Sequence, residues 1–446
     1  MRVSLASPIA LTCAAVLALP LPLAAPAAAT APPAASALPP APDDLPGSTQ
    51  SLPLTPLGGS SRAFGDGSAR PADQGLTRRD VRPFSLLGVV WDDPRAALHG
   101  TVQVRTRATG GDVWSDWQDV ETHTDQHGAD PDSAEGASGA RRGATAPLWV
   151  GDSDGVEIRV RAENGVPSLP AGLRLELIDP GEAPGGTTRA AAEAAGLSAP
   201  EAAATSANAE LAPYGSAWIP ALTKAETERG TVRTAPVQAA KAKKPYIGPR
   251  PKIVTRKGWG ADERIREKGF VYTKTIKAAF VHHSATGNNY TCGQAPSVLR
   301  GIYRYHVLSS GWRDVGYNFA IDKCGTIYEG RAGGVAKPVL GAHTLGFNTN
   351  SMGIAVLGSY GSSTPPAAVV TSVARLTAWK LGLHGINPKG TVTLVSGGGN
   401  LYAKGKKVKF HAIAGHRDGY RTDCPGTRLY GKLPTTRTSS AKYQGR

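Results

Sequence analysis

Cysteine is scarce in this chain, with four in 446 residues. One of them, Cys13, lies inside an apolar N-terminal run, away from the end where a lipid-modified cysteine would stand. Acidic side chains are also the scarcer charge: 35 Asp and Glu against 50 Lys and Arg, for a formal net charge of +15. That excess implies an acidic partner: nucleic acid, anionic lipid or an anionic cell wall. Ribonucleoprotein motifs and Cys2His2 fingers are missing, so no nucleic-acid partner is expected. No HExxH occurs, which excludes the glutamate base of that protease type. The apolar run, Ile9 to Leu23, is broken by Pro20 and Pro22 and is short for a membrane span.

With Arg2 before it and Ala27-Ala28-Ala29 after it, that run reads as a secretory signal over residues 1–29. The expectation is a secreted or cell-wall protein with no stable membrane insertion after cleavage, and a wall as its acidic partner. Export leaves Cys292, Cys324 and Cys424 in an oxidising compartment, where cysteines pair. Three is odd, so one is free for another role, and metal ligation is one such role.

The length predicts two folded units joined by linkers. Residues 30–78 are rich in Ala, Pro, Ser and Gly and read as a disordered linker. Residues 79–180 hold short period-two segments, such as Val156-Glu157-Ile158-Arg159-Val160 and Leu173-Arg174-Leu175-Glu176-Leu177. They predict a small all-β, sandwich-like domain with an accessory role. Trp114 and Trp117 are expected inside it, the polar stretch 129–143 reads as a mobile loop, and no catalytic constellation is visible. Residues 181–248 read as an Ala/Pro-rich linker in which Trp218-Ile219 docks on a neighbour. Residues 249–435 interleave strands with amphipathic helices, which predicts an α/β unit. Residues 436–446 read as a flexible tail.

In the second unit, His282 or His283, His416 and Cys424 are the residues suited to zinc, which takes imidazole nitrogen and thiolate sulfur. His416 and Cys424 are eight residues apart on one loop, where Gly419 and Pro425 permit a turn. The residue types alone leave other readings open. The histidines fit core packing, and Cys424 fits a buried thiol or a nucleophile paired with His416.

Several segments, in order, resemble one family. Phe280-Val281-His282-His283-Ser284-Ala285-Thr286 is similar to the first motif of the peptidoglycan recognition protein and type 2 amidase family. Arg256, Trp259, Gly260 and Ala261 resemble its entry segment. Gly311-Trp312-Arg313-Asp314-Val315-Gly316-Tyr317-Asn318-Phe319 resembles the second motif, and Gly341-Ala342-His343-Thr344 with Asn348 to Ile354 the third. Gly415-His416-Arg417-Asp418 through Thr422-Asp423-Cys424-Pro425-Gly426 resembles the last. The likeness spans roughly residues 250 to 430 and says nothing of residues 1 to 245.

The resemblance implies a mixed β-sheet flanked by helices, with Zn2+ held by His282, His416 and Cys424. Strand alternation allows only one of His282 and His283 to face the metal. Tyr317 and Thr422 fall on the catalytic positions, the latter where some relatives carry lysine. His343, Asn348 and Trp312 are expected to touch substrate. The implied reaction is hydrolysis of the amide between N-acetylmuramic acid and L-alanine in peptidoglycan. The alternative is a receptor or wall anchor that binds muropeptides without cutting them. With Cys424 on the metal, Cys292 and Cys324 remain; they flank the first helix, each precedes a glycine, and they are expected to form a disulfide.

Overall fold

The computed structural model describes residues 46–57, 73–122, 127–163, 169–182, 197–234 and 246–446, without the side chains of 231–234. The expected signal, residues 1–29, and much of both expected linkers lie outside these.

The N-terminal unit is all-β. Its strands are β1 (Ser48–Pro53), β2 (Thr55–Pro56), β3 (Gln74–Trp91), β4 (Gly100–Ala108), β5 (Gln118–Val120), β6 (Gly143–Ala144), β7 (Leu148–Ala162) and β8 (Arg174–Asp179). They hydrogen-bond into one antiparallel sheet in the order β1-β8-β3-β7-β4-β5, with β2 and β6 added to β3. Alternation places Val102 and Val104 of β4 in the core. Register shifts in β3 between Leu76 and Leu86 bend this long strand. β1 falls inside the expected linker 30–78: its sequence STQSLP has little apolar patterning, and its order comes from pairing with β8. Trp114 and Trp117 are not core residues. They lie half-buried under guanidinium groups, Arg159 standing 4.0 Å from the Trp117 ring centre. Trp91 is the tryptophan that fills the interior of this unit, while Trp149 is buried in the apolar cluster shared with the C-terminal unit.

The segment expected as a second linker also holds structure. Ser198 and Thr223 each sit three residues before a glutamate, Glu201 and Glu226, whose carboxylate accepts the Ser198 or Thr223 backbone N–H at 2.8 Å. These boxes start helices α1 (Ala199–Ser206) and α2 (Lys224–Thr234). Alanine-rich composition fits a linker and a helix equally well, because alanine is the best helix former. Between the helices, β9 (Trp218–Ile219) pairs with β10 (Ile253–Val254), which agrees with a docked Trp218-Ile219.

The C-terminal unit is a mixed seven-stranded sheet flanked by helices. It adds β11 (Ala278–His283), β12 (Phe319–Ile321), β13 (Ile327–Glu329), β14 (Ser351–Val356) and β17 (Ile413–Gly415), in the order β17-β11-β14-β12-β13-β10-β9. β15 (Thr391–Val395) and β16 (Lys407–His411) form a separate hairpin. The remaining helices are α3 (Arg256–Trp259), α4 (Ala295–Arg304), α5 (Ala367–Leu383), α6 (His416–Gly419), α7 (Thr427–Tyr430) and α8 (Leu433–Gln444). One sheet face is covered by α5, with Val369, Val373, Leu376 and Trp379 buried in the core. Residues 436–446 are therefore not a tail. α8 buries Thr436, Ser440, Ala441 and Gln444, and Ser440 Oγ accepts from Thr377 of α5 at 3.0 Å. A buried face of small polar residues leaves no apolar period to read.

α4 covers the other sheet face and then turns outward into the N-terminal unit. Val298, Leu299, Ile302 and Tyr305 share one apolar cluster with Leu86, Val90, Trp149 and Ile178. The Tyr305 hydroxyl lies 3.1 Å from both the Val89 and Thr145 carbonyl oxygens. Gly88 makes this approach possible, since a Cβ there would stand 2.5 Å from the Tyr305 ring. The two units are fused through a continuous core. Cys292 and Cys324 form a disulfide, with Cα atoms 6.1 Å apart, joining the start of α4 to the turn between β12 and β13.

Candidate metal centre

β11 reads Ala-Ala-Phe-Val-His-His and is buried along its whole length between two parallel neighbours, β14 and β17. In the β11–β17 register Val281 faces Gly415. The next residue on each strand is a histidine, so His282 and His416 stand side by side with ring centres 4.4 Å apart. His416 opens α6, whose Asp418 carboxylate accepts the Gly415 N–H at 2.9 Å. The chain then loops back: the Arg417 N–H donates to the Cys424 carbonyl at 3.0 Å, and the Cys424 N–H donates to Thr422 Oγ1 at 3.0 Å. This turn brings Cys424 Sγ to 3.8 Å from His282 Nδ1.

His282, His416 and Cys424 therefore converge, each fully buried. His283 points elsewhere: its Nδ1 accepts the Tyr360 N–H at 3.4 Å. A fourth donor is present that sequence reasoning missed. His127, from the N-terminal unit, joins the other three, with one ligand atom from each lying within 4.8 Å of all the rest. Nitrogen and sulfur donors around one tetrahedral zinc stand roughly 3.3 to 3.8 Å apart, so this set would gather around a single ion with a contraction of about 1 Å. The only hint in the sequence is the four-residue spacing of His123 and His127.

The charge states suit a cation. Burial, reinforced by the neighbouring imidazoles, holds His282 well below the ordinary histidine pKa. Burial first, then His283 and His306, lowers His127 to about 3. His282 and His127 are therefore neutral and offer lone pairs. Burial also pushes the Cys424 thiol well up, and a divalent ion supplies the positive charge that a thiolate there requires.

His282 is held from behind. Its Nε2 lies 3.3 Å from His343 Nδ1 and 3.4 Å from Thr344 Oγ1, which leaves Nδ1 for the metal. A Cβ on Gly353 of β14 would meet the His343 ring at 2.4 Å, so glycine there makes room for this support. His343 is fully buried on the far side of His282, which places it as an orienting residue rather than a substrate contact. Asn348 Oδ1 accepts the His343 and Thr344 N–H groups at 2.7 and 3.0 Å, fixing their loop.

Tyr317 lies with its ring centre 5.4 Å from that of His282. Burial, then the negative charges of Cys424 and Glu121, raise its pKa, so the phenol stays protonated and able to donate. Trp312 is half-buried and stacks on His306 at 4.3 Å. Both rings line a cavity of about 50 Å³ that also touches Glu121, His127 and His283.

Comparison with known proteins places this part of the chain in a family. Residues 272–427 match the family described as N-acetylmuramoyl-L-alanine amidase. Peptidoglycan-recognition protein SC2 of Drosophila simulans is 30% identical over 185 residues, which is 41% of this chain and 85% of that protein. The chain belongs to the peptidoglycan recognition protein and type 2 amidase family. Another member, N-acetylmuramoyl-L-alanine amidase of Homo sapiens, is 30% identical over 192 residues, covering 42% of this chain and 28% of that protein. Among solved structures, wild-type Drosophila PGRP-LB is 26% identical with a TM-score of 0.33, covering 41% of this chain and 92% of that one. Residues 33–201 match a different family, described as Rv3811 N-terminal galactose-binding domain-like. His127 lies in that part, outside the stretch that aligns with the amidase family.

Proposed function

We propose that this chain is a zinc-dependent, secreted amidase that hydrolyses the bond between N-acetylmuramic acid and L-alanine in peptidoglycan. One observation carries the reading: two buried imidazoles and a buried thiol, from a strand, the start of a helix and a loop, meet around one point. A bound zinc at that point would polarise the scissile carbonyl and bring the pKa of a water down to about 7.

The chain's own residues account for the rest. His343 and Thr344 hold the His282 ring with Nδ1 forward. The Cys424 loop is closed by Thr422, whose hydroxyl is already engaged with the Cys424 N–H, so Thr422 acts by positioning the sulfur. Tyr317 donates its phenolic O–H to the carbonyl oxygen as negative charge develops there. Water oxygen adds to the lactyl carbonyl carbon, the C–N bond breaks, and the amine of L-alanine leaves with a proton. Asn348 and Trp312 stand where a bound muropeptide would pass. Among the described residues no helix is long and apolar enough to cross a membrane, and the positive net charge suits an anionic wall.

The test is mass spectrometry of purified peptidoglycan incubated with the zinc-loaded chain and with its His127→Ala variant. Release of peptides with a free L-alanine amino terminus supports the reading. Muropeptide binding without any such release from either protein would establish the receptor alternative instead.

A further inference from the structure

The fourth donor at this centre comes from outside the amidase unit. We propose that His127 is a fourth protein ligand to the zinc, and that residues 127–142 close the site over it in the resting chain. The proposal rests on the zinc reading above.

Four observations converge on it. His127 has its ring centre 4.6 Å from that of His416 and 5.3 Å from that of His282. Its Nε2 is buried and has no hydrogen-bond partner among the described residues, which is costly for a polar atom unless something binds it. The stretch after it is tied to the amidase unit by polar contacts. Asn348 Nδ2 donates to Gly128 O at 2.8 Å and to Asp130 Oδ1 at 2.7 Å. Glu135 and Arg331, both buried, meet through two hydrogen bonds of 2.7 and 2.9 Å. Finally, the cavity that His127 lines is about 50 Å³, enough for a few waters and far too small for a sugar-peptide substrate.

The consequence follows from coordination number. Catalytic zinc sites keep three protein ligands and an open position, whereas four protein ligands make a closed, structural type of site. With His127 bound, the place of the reactive water is taken, and the amide N–H groups of Asn348 that face the groove are satisfied by the strap. The expected mobile loop at 129–143 is therefore an ordered cover in this state. Its composition also explains how it leaves. The strap is held by hydrogen bonds and two ion pairs, Glu135 with Arg331 and Asp132 with Lys404, while the apolar seam between α4 and the N-terminal sheet lies elsewhere. Water and a polar substrate can replace the former without separating the two units, because segments poor in apolar contacts open most readily.

The experiment uses zinc K-edge absorption and azide binding to the cobalt-substituted protein, on the full chain, its His127→Ala variant and its Glu135→Ala variant. The last loosens the strap away from the metal. The wild type should show three nitrogens and one sulfur and resist azide. His127→Ala should lose one imidazole, bind azide at least about tenfold more tightly, and hold zinc about tenfold more weakly. Glu135→Ala should shift azide binding in the same direction with its ligands intact. If wild type and both variants share the same coordination and azide affinity, the His127 assignment is wrong while the three-ligand zinc site stands. If the wild type takes up no stoichiometric zinc, both fall.

Discussion

The imidazoles of His127 and His416 lie 4.6 Å apart, centre to centre, although one belongs to the N-terminal sheet unit and the other to the amidase unit. That pairing ties the state of the metal site to the placement of a segment far away in sequence. It also means that the amidase unit described alone would show a different site from the one the whole chain holds.

His343 tests the supporting network. It touches His282 Nε2 rather than the metal. His343→Gln should weaken zinc binding about 10- to 100-fold, measured by chelator competition, while leaving the circular dichroism spectrum unchanged. Unaltered zinc affinity would remove His343 from this role.

Tyr317 tests the chemistry. In the His127→Ala background, Tyr317→Phe should lower kcat by about 10² to 10³-fold with little change in KM, as expected for a donor acting mainly in the transition state. A change confined to KM would make Tyr317 a binding residue.

How much of this was legible in the sequence depends on where the signal resides. The elements of the amidase unit stand out because β11 is continuously apolar up to His282 and because α4 carries a clear helical period through Val298, Leu299 and Ile302. The three residues proposed to hold zinc could be named because the motifs around them resemble a family. The orienting role of His343 was not legible, since burial on the far side of His282 depends on how β14 packs. α8 was missed because its buried face is Thr436, Ser440, Ala441 and Gln444. β1 was missed because its order derives from pairing with a strand in which Glu176, the partner of Ser51, lies 125 residues later. His127 was missed because a single histidine in a polar loop has no pattern of its own, and only tertiary contact gives it meaning.

Asn348 joins the two halves of the site. Its Oδ1 accepts two buried N–H groups and its Nδ2 serves the strap. Asn348→Ala should orphan the His343 and Thr344 amides and reduce stability by about 2 to 3 kcal/mol. Urea unfolding of the full chain reads this directly, and a loss below about 0.5 kcal/mol would contradict the account.

The disulfide separates folding from chemistry. Cys292 and Cys324 enclose a loop with a sequence separation of 32, for which chain entropy suggests roughly 3 to 4 kcal/mol. The double variant Cys292→Ala, Cys324→Ala should lose about that much stability to urea and still bind one zinc, because Cys424 is not part of the bridge.

The most direct test is the zinc content of the purified chain, by elemental analysis, beside that of Cys424→Ala. The account predicts one zinc per wild-type chain and a large loss of zinc from the variant after dialysis against a moderate chelator. A wild type without zinc, or a variant that keeps a full equivalent, would contradict it.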